Sequence, residues 1–113
     1  GVTEYMISIN QVNSVQALYL GQAAINKAKA LLYTNGFSWD SSWEKSEFNS
    51  EKFNHFYGQN ASISLSVQLL EETEQNIKLK VSATIDGITR KITVHLQKEL
   101  EKGKIKVENW IEE

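Results

Sequence analysis

The side chains able to do chemistry in this sequence are few and scattered. His55 sits among aromatic residues, and His95 falls on the polar side of an alternating run. Each stands alone, and a lone histidine is more often structural or solvated than catalytic. Glu71, Glu72 and Glu74 cluster in one stretch, and Glu112 and Glu113 close the sequence. An acidic turn can hold calcium, but these acids lack the ligand spacing and central glycine of a calcium loop. No phosphate-cradling glycine loop, nucleophile elbow or histidine metal motif is present. Among 14 acidic residues no carboxylate pair stands out for acid–base work. With no cysteine there is no disulfide, no thiol chemistry and no cysteine zinc site. The residues therefore predict no catalysis, no metal and no cofactor.

Charge narrows the partners. The formal net charge is −2, which argues against nucleic acid. Lys78, Lys80, Arg90 and Lys91 make at most a mild basic patch across neighbouring strands, and DNA contact is not indicated. Asn60-Ala61-Ser62 matches a glycosylation sequon, which matters only in a eukaryotic secretory setting.

The elements that must position these residues read as one α+β domain of 113 residues, enough for a single core without staples. No run of about 18 apolar residues occurs that would span a bilayer. Residues 1–34 are the first segment, helical from Thr3, whose hydroxyl can cap the start. Asn35-Gly36 stops it, because both residues tolerate the left-handed conformation. Lys27 and Lys29 lie toward its end, where cations favour the helix dipole. Residues 35–60 are an aromatic-rich connection holding Phe37, Trp39, Trp43, Phe48, Phe53, Phe56 and Tyr57. Ser41 with Glu44 fits a capping box there, and Ser50 fits a second cap, so two short helical turns are predicted. Its aromatics are expected to lid the sheet rather than bind a sugar or peptide.

Residues 61–113 are a four-stranded antiparallel meander. Ile63, Leu65, Val67 and Leu69 alternate with polar residues, as do Ile77, Leu79, Val81, Ala83 and Ile85. Ile88, Ile92, Val94 and Leu96 follow the same rule. Period two with one apolar face means a sheet covered on one side and wet on the other. Asp86-Gly87 marks a tight hairpin. The residues from Glu101 to Lys104 turn into a last strand with Ile105, Val107 and Ile111 on one side and Trp110 on the other. Only the helix is long enough to cover the apolar face.

That helix carries no Asp, Glu, Lys or Arg from Tyr5 to Asn26. A surface helix normally shows a charged face. Leu18, Gly21, Ile25, Ala28 and Leu32 share one stripe, assigned to the sheet. Gly21 costs about 1 kcal/mol against alanine, so a close backbone contact is expected there. A second stripe holds Val2, Tyr5, Met6, Ile9, Val12, Tyr19, Leu20, Ala23, Ala24 and Leu31. A helix apolar on two sides expects two coverings, and the sheet supplies one. At ~1.5 Å per residue it would also overhang strands of about nine residues.

The order of elements, and the run Ala17-Leu18-Tyr19-Leu20-Gly21-Gln22-Ala23-Ala24-Ile25-Asn26-Lys27-Ala28, resemble type IV pilin-like proteins. In minor pilins and pseudopilins a Tyr, small residues and an Ile-Asn pair follow one another in this way. The ending Gly103-Lys104-Ile105-Lys106-Val107-Glu108-Asn109-Trp110-Ile111-Glu112 is similar to the basic-aliphatic tail of competence pseudopilins. The resemblance implies a non-enzymatic subunit at the cell surface that helps initiate or cap a filament, in competence DNA uptake, pilus biogenesis or secretion. It implies other major or minor pilin or pseudopilin subunits as partners, and a membrane segment upstream of the residues given. It assigns Val2, Tyr5, Met6, Ile9, Val12 and Tyr19 to the subunit interface. The alternative is a ligand- or protein-binding domain of helix-on-meander type, cystatin-like or nuclear-transport-factor-like, which would use its loops or a concave sheet.

Overall fold

A computed structural model describes residues 2–53, 62–99 and 104–113, with side-chain surroundings from residue 12 onward. The helix α1 runs Val2–Thr34. Thr3 therefore lies inside it and is not its cap. The stop is where Asn35-Gly36 was expected to put it. Gly36 is left-handed at φ 65°, and the Phe37 N–H donates to the Leu32 carbonyl at 2.7 Å. That six-to-one bond, with Phe37 and Leu32 both buried, closes the end as a Schellman cap. Phe37 itself also has a positive φ of 60°, unusual for a bulky residue and held here by the same bond. No basic residue occupies the last turn. Lys27 is instead spent on tertiary contacts, 3.0 Å from Glu47 and 5.4 Å from the centroid of the Phe53 ring.

Two short helical turns follow, α2 at Trp43–Ser46 and α3 at Ser50–Phe53. Their caps differ from those predicted. The N-cap of α2 is Ser42, with no side-chain cap bond. Its backbone N–H and hydroxyl both donate to Asp40 Oδ1, at 2.9 and 2.7 Å. Glu44, the expected capping-box acid, accepts from the Leu69 N–H at 3.0 Å. At α3 the cap is Asn49, whose Oδ1 accepts from the Lys52 N–H at 3.1 Å, and Ser50 is already helical.

The sheet is a meander in the order β1-β2-β3-β4, all antiparallel. Its strands are β1 Ile63–Glu72, β2 Asn76–Ile85, β3 Ile88–Glu99 and β4 Lys104–Glu112. Asp86 and Gly87 both have positive φ, 49° and 84°, as the predicted two-residue hairpin requires. Along β2 burial alternates at every residue from Ile77 to Ile85. The helix covers that apolar face, packing chiefly on β2 and β3. The architecture is thus α+β, a long N-terminal helix on a four-stranded antiparallel sheet.

Two departures change what faces where. The helix buries Ala17, Leu20, Gly21, Ala24, Ile25, Ala28 and Leu32, whereas Leu18 is only half-buried at the flank. Leu20 and Ala24, assigned to the second stripe, are core. The buried arc spans about 140°, wider than one three-four stripe, because small residues at its centre let the sheet wrap the helix. The second departure is at Asn109, left-handed at φ 50°. The β3–β4 register shifts between Thr93 and His95. Ile111 pairs with Thr93 on the wet face and is 54% exposed, while Trp110 turns to the helix side beside Gln22, Ile25 and Asn26. The predicted sides of Ile111 and Trp110 are therefore exchanged. A bulge adds one residue, and with period two that flips every side chain after it.

Candidate interaction surface

The outward face of α1 is built from what the sheet leaves uncovered. Val12, Val15, Tyr19, Asn26, Ala30 and Tyr33 recur by threes, fours and sevens, and all are exposed. Val12 is 52% exposed, Tyr19 57% and Tyr33 69%. Every exposed position of the helix from Val12 to Thr34 is uncharged. Lys27 and Lys29 are half-buried on its flanks. The stripe from Val12 to Tyr33 is roughly 32 Å long at 1.5 Å per residue. Exposed apolar side chains arranged in this way make the stripe a candidate interaction surface.

One flank of the stripe is walled by β4. Gln22, Ile25 and Asn26 of the helix and Val107 and Trp110 of the strand line a shared groove. The Trp110 indole N–H donates to Glu112 Oε1 at 2.9 Å, and the other Glu112 oxygen meets Arg90 Nη2 at 3.0 Å. Arg90 Nη1 completes the chain by donating to Ser14 Oγ at 2.8 Å. This clasp also fixes the alignment of helix and sheet. The helix from Val2 to Asn13 is about 18 Å long. Ahead of Arg90, β3 has only Ile88 and Thr89, about 7 Å of strand. The first turns of α1 therefore run past the sheet.

The residues assigned to the interface divide accordingly. Val12 and Tyr19 are exposed on this face. Val2, Tyr5, Met6 and Ile9 lie in the overhanging turns, and their side chains fall outside the described residues. Of those assigned to the core, Gly21, Ile25, Ala28 and Leu32 are buried and Leu18 is peripheral. Val15, Ala30 and Tyr33 belong to the exposed face but were not singled out in the sequence. The signal for them was there: Val15 is three residues from Val12, and Tyr33 is two heptads from Tyr19.

Of the chemistry-bearing residues, Glu71, Lys78 and His95 meet on the sheet face away from α1, and the other described ones lie elsewhere. Arg90 is on the helix side, so the basic patch with Lys78, Lys80 and Lys91 does not form as read. His95 is half-buried, with Nε2 2.9 Å from Asn76 Oδ1. Glu72 is not simply solvated, since its Oε2 accepts from the Trp39 N–H at 2.7 Å. His55, Phe56, Tyr57, Asn60 and the turn at Glu101 lie outside the described residues. In the connection, Phe37, Trp39, Phe48 and Phe53 are buried, and Trp39 stacks on Phe48 at 5.7 Å. Those rings are core, so they offer no open aromatic patch. Among the described residues no group of three or more His, Cys, Asp or Glu is placed to hold a metal, and no helix is long and apolar enough to cross a membrane. Comparison with family models, with curated proteins and with solved structures gave no match.

Proposed function

We propose that this chain is the part outside the membrane of a minor pilin- or pseudopilin-like subunit, which docks its helix against helices of neighbouring subunits in a surface filament. The observation that carries this reading is the uncharged exposed face of α1, from Val12 to Tyr33. A charge buried between packed helices without a partner is costly, and this face would bury none. The overhanging first turns of the helix support the same reading, since they have no sheet of their own to rest on. In this proposal the subunit is held in the membrane by a segment upstream of Val2 before assembly, and it works without catalysis or cofactor. It helps to start or cap the filament rather than forming its bulk.

The test is Val15→Glu with Tyr19→Glu. Both side chains are exposed, so the melting temperature of the domain should stay within a few degrees of wild type. In the full-length protein, expressed in its own cells, the pair should abolish incorporation into filaments. Normal incorporation of a folded double mutant would refute the proposal.

A further inference from the structure

On the side of the sheet away from α1, two irregularities face each other across the strands. The β1–β2 register shifts between Leu69 and Glu71, and the β3–β4 register shifts at Asn109. Between them the sheet is hollowed into an open cleft of about 280 Å³. Glu71, Asn76, Lys78, Thr93, His95 and Asn109 line it, with Ile111 as an apolar wall. Ile111 is there only because the bulge turned it to this face.

The cleft is lined by more apolar than polar surface, and most of its polar groups have no partner among the described residues. The Glu71 carboxylate, the Lys78 ammonium, the Thr93 hydroxyl and the Asn109 amide have no hydrogen-bond or ionic partner among the described residues. Asn76 uses only its Oδ1, held by His95, which leaves its amide N–H groups available. Asn76 is itself fixed by the turn before β2, where its N–H donates to Thr73 Oγ1 at 3.0 Å. Asn109 is fixed by its left-handed backbone. Donors and acceptors thus converge on one volume, and the Asn76–His95 pair among them is held in place before any ligand arrives.

We propose that this cleft binds a neutral polyhydroxylated ligand, a single sugar ring of a glycan. One carboxylate and one ammonium cancel, so no charged ligand is selected by net field. Closely spaced donors and acceptors match the paired roles of sugar hydroxyls, each of which donates and accepts. Ile111 offers an apolar surface to the C–H face of a ring. The volume sits at the lower bound of small-molecule sites, about 300 Å³, which suits one ring and not a larger ligand. The site lies on the opposite face from the helix stripe and does not depend on filament assembly.

The probe is a panel of methyl glycosides of glucose, galactose, mannose and N-acetylglucosamine, with glycine and alanine as zwitterionic controls. Each is titrated at millimolar concentration into the chain, followed by its backbone amide NMR spectrum. At least one glycoside should shift the amides of Lys78, Thr93, His95 and Asn109 saturably, leaving those of α1 still. Thr93→Val keeps the shape and removes a hydroxyl. Asn109→Gly keeps the left-handed backbone and removes the amide. Each should weaken binding at least about threefold, the loss of one modest hydrogen bond, in a protein whose remaining spectrum is unchanged. No shift with any glycoside would overturn the proposal. So would shifts with the amino acids alone, which would make the ligand a zwitterion, or full affinity in both folded variants.

Discussion

Gly21 and Ile92 meet so closely that a β-carbon added to the glycine would stand 2.7 Å from Ile92 Cδ1. The next contacts, to Ile92 Cγ1 at 3.7 Å and Val81 Cγ1 at 3.8 Å, are ordinary. The conflict is therefore with one methyl group, locked in a core where Ile92 is 1% exposed. Alanine at this position would gain about 1 kcal/mol of helix propensity. Displacing a packed methyl costs about 1 to 3 kcal/mol. Gly21→Ala should therefore destabilise the domain. Ile92→Val deletes the offending methyl and alone should cost about 0.5 to 1.5 kcal/mol. The double mutant should be more stable than the sum of the two by about 1 kcal/mol, measured by denaturant unfolding. Strict additivity would show that the helix does not sit this close to β3.

The turn into α2 gives a pH dependence with a definite sign. The Ser42 hydroxyl, and then the Ser42 backbone N–H, hold the Asp40 carboxyl below the ordinary aspartate range. A carboxyl lowered on folding stabilises the fold above its unfolded value, and that contribution disappears as pH falls through the folded one. Ser42→Ala removes the larger cause. An NMR titration should show the Asp40 midpoint rising toward the ordinary range in this variant. The acid limb of the stability curve should flatten there as well. An identical midpoint in both proteins would mean that the Ser42 hydroxyl bond is not formed in solution.

These two regions show what the sequence made legible and what it did not. The meander could be read because β2 alternates without interruption, and the hairpin because Asp86-Gly87 suits two left-handed residues. The helix stop could be read because Gly36 is needed at its end. Which side of α1 faces the sheet could not be fixed by spacing, since Leu18 and Leu20 both continue apolar rows. The choice was made by the small residues Ala17, Gly21, Ala24 and Ala28, which set how near the sheet comes. The caps failed for a related reason. Glu44 obeys the local capping pattern but finds a stronger use on the open edge of β1, at the Leu69 N–H. The bulge at Asn109 was hidden because asparagine tolerates positive φ without announcing it. It exchanged the sides of Trp110 and Ile111, and with them the contents of both surfaces proposed here to bind.

The clasp at the end of β4 should act locally. Arg90 and Glu112 side chains are 27% and 37% exposed, so screening holds the pair to under about 1 kcal/mol. Glu112→Gln should barely move the melting temperature. The strand end is also fastened by its ladder to β3, through the Thr93–Ile111 and Ile92–Glu112 pairs. The Glu113 N–H donates to the Lys91 carbonyl at 2.8 Å, and the return bond from Lys91 is longer, at 3.4 Å. Hydrogen exchange at Glu113 should accelerate in the variant, while the amides of β2 keep their protection. Trp110 loses its charged acceptor, so its fluorescence should change too. Unaltered exchange at Glu113 would mean that the ladder alone holds the end of β4.

The last prediction separates two ways of facing one helix to one sheet. Leu20 is fully buried, at 0% exposure, between α1 and the sheet. Leu18 is half-buried at the edge of the same contact. Truncating a buried leucine costs about 2 to 5 kcal/mol, because the site collapses only in part around the cavity. At Leu18 solvent already reaches the side chain, so less area leaves water and less cavity forms. Leu20→Ala should therefore cost at least about 2 kcal/mol and Leu18→Ala about 1 or less. Equilibrium unfolding in urea measures both on the same scale. Were Leu18→Ala the more damaging, α1 would be rotated on the sheet toward its Leu18 side. Tyr19 would then turn toward the β4 side, where Gln22 now lies beside Trp110, and the exposed uncharged stripe on which the assembly proposal rests would no longer be one face.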